Sequence, residues 1–224
     1  TITAGYNQAF TFETGATATE RLHIDSSGNV GIGTSTPSGI LSIPAADTTS
    51  NPQVRFMTSG ATNLADAAIS TTDDSGGTSL LIGSNQYYSG GSISRFTTSR
   101  SGSAINFGYT GTMKFYTGSG NAAPTEAMII GASGDILFGK TSNDPATAGH
   151  EFRSSGLAIH TVSGNDVMIL NRETSPGNAL VLEQGNVPVG TISVTGSATA
   201  YNTSSDYRLK ENIADADDAG SKID

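Results

Sequence analysis

A chain of 224 residues has room for one or two ordinary domains, yet Leu, Ile, Val and Phe together supply just under a fifth of it, too little for a lone chain to offset the entropy of ordering. The charged fraction of 14% and net charge of -9 exclude a charge-swollen disordered chain, and the acidic balance argues against nucleic acid as a partner. Cysteine is absent, which excludes disulfide staples and thiolate metal sites, and no apolar run is long enough for membrane insertion.

Ser, Thr and Gly number 29, 29 and 28, and long runs of Ala, Leu, Glu and Lys are missing, so local preferences favour strands and turns. The expected class is all-β. With so lean an apolar content, a core shared between chains is the natural way to stability. Residues 1–45 read as an N-terminal stem in which Ile2, Phe10 and Phe12 sit among Thr and Gly without a start signal, so the chain reads as a fragment at both ends. No secretory signal is visible. Leu22 and Ile24, then Val30 and Ile32, alternate with polar or small residues around Ser26-Ser27-Gly28-Asn29, which predicts a hairpin over residues 20–33. Gly31 and Gly33 read as turn glycines, because a phosphate cradle needs a following helix and Thr34-Ser35-Thr36-Pro37 follows instead.

Residues 46–122 predict a wider, surface-bearing β-rich segment, with strands at 53–57, 79–82, 92–97, 104–108 and 113–117 separated by turn clusters. Only Asn63 to Ser70 suggests a helical turn. Tyr87 and Tyr88, flanked by small polar residues, are candidate binding residues for a carbohydrate or protein surface, with core packing as the alternative. Asp73 and Asp74 read as a solvated turn rather than calcium or glycosidase carboxylates.

Within residues 123–150, the run from Glu126 to Gly139 aligns without a gap to Glu20–Gly33 and predicts a second hairpin. Thr141 to Gly149 reads as a loop. Residues 151–204 predict a C-terminal β stem, with strands at 151–162 and 166–171 and a third, weaker hairpin copy at 180–190 inside the pair spanning Ala179 to Val194. Unequal spacing of the three copies argues against a regular solenoid. His23, His150 and His160 show no ligand spacing, and His23 reads as an exposed strand residue, with a metal or anion site at a trimer axis as the alternative; no metal site and no cofactor are expected.

Residues 205–224 differ from everything before them. In Ser204-Ser205-Asp206-Tyr207-Arg208-Leu209-Lys210-Glu211-Asn212-Ile213, a hydroxyl nucleophile, two cations and an acid arrive together. A lysine can serve as base to a serine only if its pKa is lowered, and Ser205 with Lys210 is such a candidate pair. The string resembles the opening of the intramolecular chaperone auto-cleavage domain, a self-cleaving serine peptidase family at the C-termini of phage tailspikes, tail fibres and endosialidases and in the myelin regulatory factor. Ser205, Asp206, Arg208, Lys210, Asn212 and Ile213 match its signature Ser-Asp-x-Arg-x-Lys with the Asn-Ile that follows. The Gly-rich hairpin phrase also resembles wording common in phage tail fibres.

The resemblance implies a domain that helps three chains fold together and then cuts between Ser204 and Ser205, with Ser205 as nucleophile, Lys210 as base and Asn212 as a candidate oxyanion donor. Only the start of that chaperone is present. The expected protein is an elongated, intertwined homotrimeric fibre with β-hairpin stem elements. As a phage tail fibre or tailspike it would be made in the host cytoplasm, reside on the virion with other tail proteins, and bind a host-cell surface receptor. The alternatives are a polysaccharide depolymerase and a non-viral trimeric adhesin; the fibre itself is expected not to be an enzyme beyond self-cleavage by a complete chaperone.

Overall fold

The computed structural model describes Gly5 and residues 7–44, 52–57, 65–74 and 76–203, with Asp74 through its backbone alone; these are all-β, with eighteen strands and no helix. Two compact units divide between Asn165 and Asp166. The first begins with a four-stranded sheet of β1 (Phe10–Thr14), β2 (Thr19–Ile24), β3 (Val30–Ile32) and β4 (Leu41–Ser42), in that order. Its last pair is parallel and the others antiparallel.

A nine-stranded antiparallel sheet follows. It takes β5 (Val54–Phe56), β6 (Ala67–Asp74) and β7 (Gly77–Ser84), sets aside the small hairpin of β8 (Tyr87–Ser89) and β9 (Ser92–Ser94), and resumes with β10 (Ser103–Phe107) and β11 (Met113–Thr117). It continues with β12 (Thr125–Ile130), β13 (Ile136–Phe138), β14 (Gly149–Phe152) and β15 (Ala158–Thr161), each beside its predecessor. The hairpin at 126–139 is therefore continuous with the sheet that begins at Val54. The second unit contains a three-stranded sheet of β16 (Gly177–Gln184), β17 (Val187–Val194) and β18 (Thr199–Thr203).

The alignment of residues 20–33 with 126–139 is exact in structure. Leu22 opposes Ile32 and Ile24 opposes Val30, just as Met128 opposes Phe138 and Ile130 opposes Ile136. The likeness extends one strand further back, since the β1–β2 and β11–β12 pairs each carry a bulge, after Phe12 and after Phe115. The turn is a five-residue loop in which the first N–H bonds the fifth carbonyl and the fourth residue is a glycine at positive φ. Asp25–Asn29 and Gly131–Asp135 share this pattern, with Gly28 at φ 88° and Gly134 at 86°.

Two further turns share it that the sequence pattern did not reveal, Gly108–Thr112 and Arg153–Leu157, with Gly111 and Gly156 at the left-handed position. Residues 180–190 are not a copy of this turn. There β16 and β17 meet through Gly185 and Asn186, both at positive φ, which is the two-residue turn that matches strand twist.

Three local expectations are corrected. Ala67–Ser70 belong to β6 rather than a helical turn, because β5 and β7 flank that strand and take its backbone hydrogen bonds; Asn63 and Leu64 lie outside the described residues. The segment 151–162 is two strands and a turn, since the glycine at position 156 reverses the chain. Asp166–Asn171 forms no strand, although its run of four apolar residues has the composition of one; the next strand, β16, pairs with β17 instead.

Candidate functional site

Polarity is inverted over β6, β7 and β10 of the nine-stranded sheet, whereas further along the covered face buries Ile129 and Leu137 in the ordinary way. Along β6, β7 and β10, alternate residues point to opposite faces, and the buried set is Ala68, Ser70, Thr72, Ser79, Leu81, Ala104 and Asn106. The opposite, open face carries Ile69, Leu80, Ile82, Ile105 and Phe107. Ser70 is 1% exposed while Ile82, on the neighbouring strand, is 46% exposed. By register the same open face takes Val54 and Phe56 at one end and Phe115, Met128, Phe138 and Phe152 toward the other. An open apolar groove of about 410 Å³ lies on it between Ala67, Ile82, Ile105 and Phe115.

The covered face is closed by the chain's own loops. Tyr88 packs on Leu81 and Ala104, its backbone N–H donates to Ser70 Oγ at 2.9 Å, and the Asn106 amide donates to its hydroxyl. This corrects the expectation for Tyr88, which is 7% exposed and belongs to the core. Tyr87 is half-buried and stacks on Phe96 at 4.5 Å, with the Arg55 guanidinium 4.4 Å over the Phe96 ring and paired to Asp66 at 2.6 Å. Asn85, fully buried, donates its amide to the carbonyls of Thr97, Arg100 and Ser101 and accepts the Thr97 N–H, which ties the following loop down.

Further along the same face the Lys140 ammonium meets Glu151 Oε1 and the carbonyls of Asp144 and Thr147, while Arg153 donates twice to Glu151 Oε2. The hydrogen bond from Lys140, helped by Arg153, holds the Glu151 carboxyl below its ordinary value against the opposing effect of burial. Asp135 accepts the Ser154 N–H at 2.7 Å and the Asn143 amide, and these bonds hold it down at about 2.

The histidines are not as their spacing suggested. His23 is mostly covered, with Nδ1 3.2 Å from Glu20 Oε2. His150 and His160 are direct cross-strand partners on the open face, with Nδ1 atoms 2.7 Å apart. The signal that finds them is the Arg153–Leu157 turn, about which positions 150 and 160 are symmetric. Gly31 and Gly33 are structural: the Gly33 N–H donates to the Arg21 carbonyl, which removes it as a phosphate donor. Asp73 is exposed at the end of β6, and the described residues hold no group of three His, Asp or Glu side chains able to share a metal ion. Ser204, Ser205, Lys210 and Asn212 lie outside the described residues. No family model matches the chain, and no curated protein matches it.

Proposed function

We propose that the chain is the C-terminal part of a phage tail fibre or tailspike, a homotrimer that serves a structural and adhesive role at the host-cell surface. The observation that carries the assembly is the partly inverted sheet: an uncharged row of branched and aromatic side chains from Phe56 to Phe152 faces outward, while serines, threonines and an asparagine are buried. Withdrawing each such side chain from water contributes about 1.5–3 kcal/mol, which a surface of this kind recovers only by being covered. Another copy of the chain suits it, because the row offers no charge for a charged partner to complement. Three copies, rather than two, follow from the Ser205–Ile213 string and the trimer-forming chaperone it resembles. The same resemblance supplies the viral setting: assembly in the host cytoplasm, residence on the virion beside other tail proteins, and a receptor on the host.

Sedimentation of the full chain at micromolar concentration tests the proposal. The expected mass is that of three chains, and Ile82→Asp with Phe107→Asp should dissociate it, because both residues face outward on adjacent strands. A well-folded wild-type monomer would overturn the assembly, and a dimer would overturn its three-chain form.

A further inference from the structure

We propose that His150 and His160 form a two-imidazole chelate for a first-row divalent transition ion of the Zn²⁺, Cu²⁺ and Ni²⁺ class. The inference rests on the pairing of β14 with β15 and not on the viral proposal, and it places the pair at the Phe138–Phe152 end of the open face, where the proposed assembly would bring another chain close. The five-residue turn Arg153–Leu157 sets the register in which the two residues are directly opposed, and Thr161 Oγ1 donates to the Pro145 carbonyl at 2.8 Å to hold the following residue. Both rings are half-buried, their centroids lie 4.9 Å apart, and their Nδ1 atoms converge to 2.7 Å.

At that separation one Nδ1 carries a proton and the other accepts it. Transfer of that proton to Nε2 of the same ring frees both Nδ1 lone pairs without changing the charge of the pair. Two nitrogens bound to Zn²⁺ at about 2.0–2.1 Å and a tetrahedral angle lie about 3.4 Å apart, so the rings need to separate by well under an ångström. Side-chain torsion supplies that movement. The remaining coordination positions fall to water or to a group of the covering chain.

The surroundings favour an ion. Phe152 meets His160 edge-on at 5.7 Å, and Phe138 opposes His150 from β13, so two aromatic rings wall the site on its strand side. Lys140 and Arg153, the cations of the adjoining segments, engage Glu151 on the other face of the sheet, so they do not repel a dication here. Imidazole nitrogen selects borderline transition ions over Mg²⁺ and Ca²⁺, which take oxygen ligands. His23 makes no such pair, being held by Glu20.

Calorimetric titration of the metal-free full chain with Zn²⁺ and Ni²⁺ should give about one ion per chain. His160→Phe, which keeps an aromatic ring beside Phe152, and His150→Ala should each weaken binding at least tenfold, and His23→Ala should leave it unchanged. Electron paramagnetic resonance of the Cu²⁺-loaded wild type reads the ligands without any substitution, and two nitrogen couplings are expected. Undiminished titration in the His150→Ala, His160→Phe double variant, or a Cu²⁺ spectrum without nitrogen couplings, would overturn the site.

Discussion

The Lys140 ammonium and the Glu151 carboxylate form an ion pair in which neither side chain retains exposure to solvent. Two desolvated charges hold each other at little net gain, but a single survivor is strongly unfavourable. Glu151→Leu, which leaves the Lys140 ammonium with carbonyl acceptors alone, is therefore expected to lower the melting temperature by roughly 10 °C in this size of chain. Replacing both, as Lys140→Met with Glu151→Leu, should restore most of the loss, since Arg153 is 28% exposed and can turn to water. Thermal denaturation of the single and double variants decides it: additive losses would mean the pair acts through packing and not through charge.

Asp135 couples two turns, since its carboxylate receives the Ser154 N–H from the neighbouring hairpin as well as the Asn143 amide. Its value is depressed from 3.8 to about 2. A depressed acid contributes stability that is fully present above the unfolded value and is lost as pH falls through the folded one. Asp135→Ala should thus melt earlier than wild type at pH 7, and the gap should close between about pH 4 and pH 2. Glu151 is depressed in the same direction, so wild-type stability itself should decline over the acid range. A gap that stays constant down to pH 2 would show that the carboxylate charge is irrelevant there.

Local chemistry was legible in the sequence to the extent that it repeats. The Ser-Gly pair before Asn29 and before Asp135 announced two hairpins, and the structure gives them one register. Gly108–Thr112 and Arg153–Leu157 escaped notice because only the glycine is required by the backbone, while the other turn residues are free to vary. The site was less legible. Tyr88 looked adhesive because the sequence beside it is polar, yet Ser70 and Asn106, contributed from distant strands, close over it. Equally, alternation along β7 showed two faces but not which one the chain's own loops would cover.

Tyr88→Phe removes the hydroxyl that receives the Asn106 amide and keeps the ring on Leu81. With a buried donor left poorly satisfied, a loss of about 1–3 kcal/mol is expected. Tyr87→Ala removes only a stack on Phe96 and a half-buried ring, so its cost should be smaller and any effect on adhesion should be confined to this variant. Chemical denaturation and cell binding measured on both variants separate the two tyrosines. Weakened adhesion in Tyr88→Phe at unchanged stability would return Tyr88 to a surface role.

Gly111, Gly134 and Gly156 hold the same left-handed position in three turns at one end of the nine-stranded sheet. A β-carbon at Gly134 would lie 3.6 Å from that of Ser154, and at Gly111 3.5 Å from that of Ala132, so space is ordinary and backbone strain decides the outcome. Each Gly→Ala change should cost about 1–2 kcal/mol, whereas Gly→Asn should cost less, because asparagine tolerates this conformation. Equal losses from alanine and asparagine in denaturant titrations would place the cause in side-chain contact rather than in φ.

Cleavage before Ser205 is the expectation most tied to the proposed function. Attack by the Ser205 hydroxyl on the carbonyl of Ser204 requires Lys210 to be unprotonated and close, and requires donors for the developing oxyanion, a role open to backbone N–H groups or Asn212. Asp215, Asp217 and Asp218 would raise the pKa of Lys210 wherever they approach it, so a value low enough for a base depends on the burial that a complete chaperone domain would supply. The 224-residue chain is therefore expected to remain uncut, and a version extended through a complete chaperone domain should yield a product ending at Ser204. In the extended version Ser205→Ala and Lys210→Ala should each abolish the cut while leaving trimers intact, because assembly precedes cleavage. Mass spectrometry of the purified products measures this directly, and a product ending at Ser204 from the Ser205→Ala variant would remove Ser205 from the nucleophile's role.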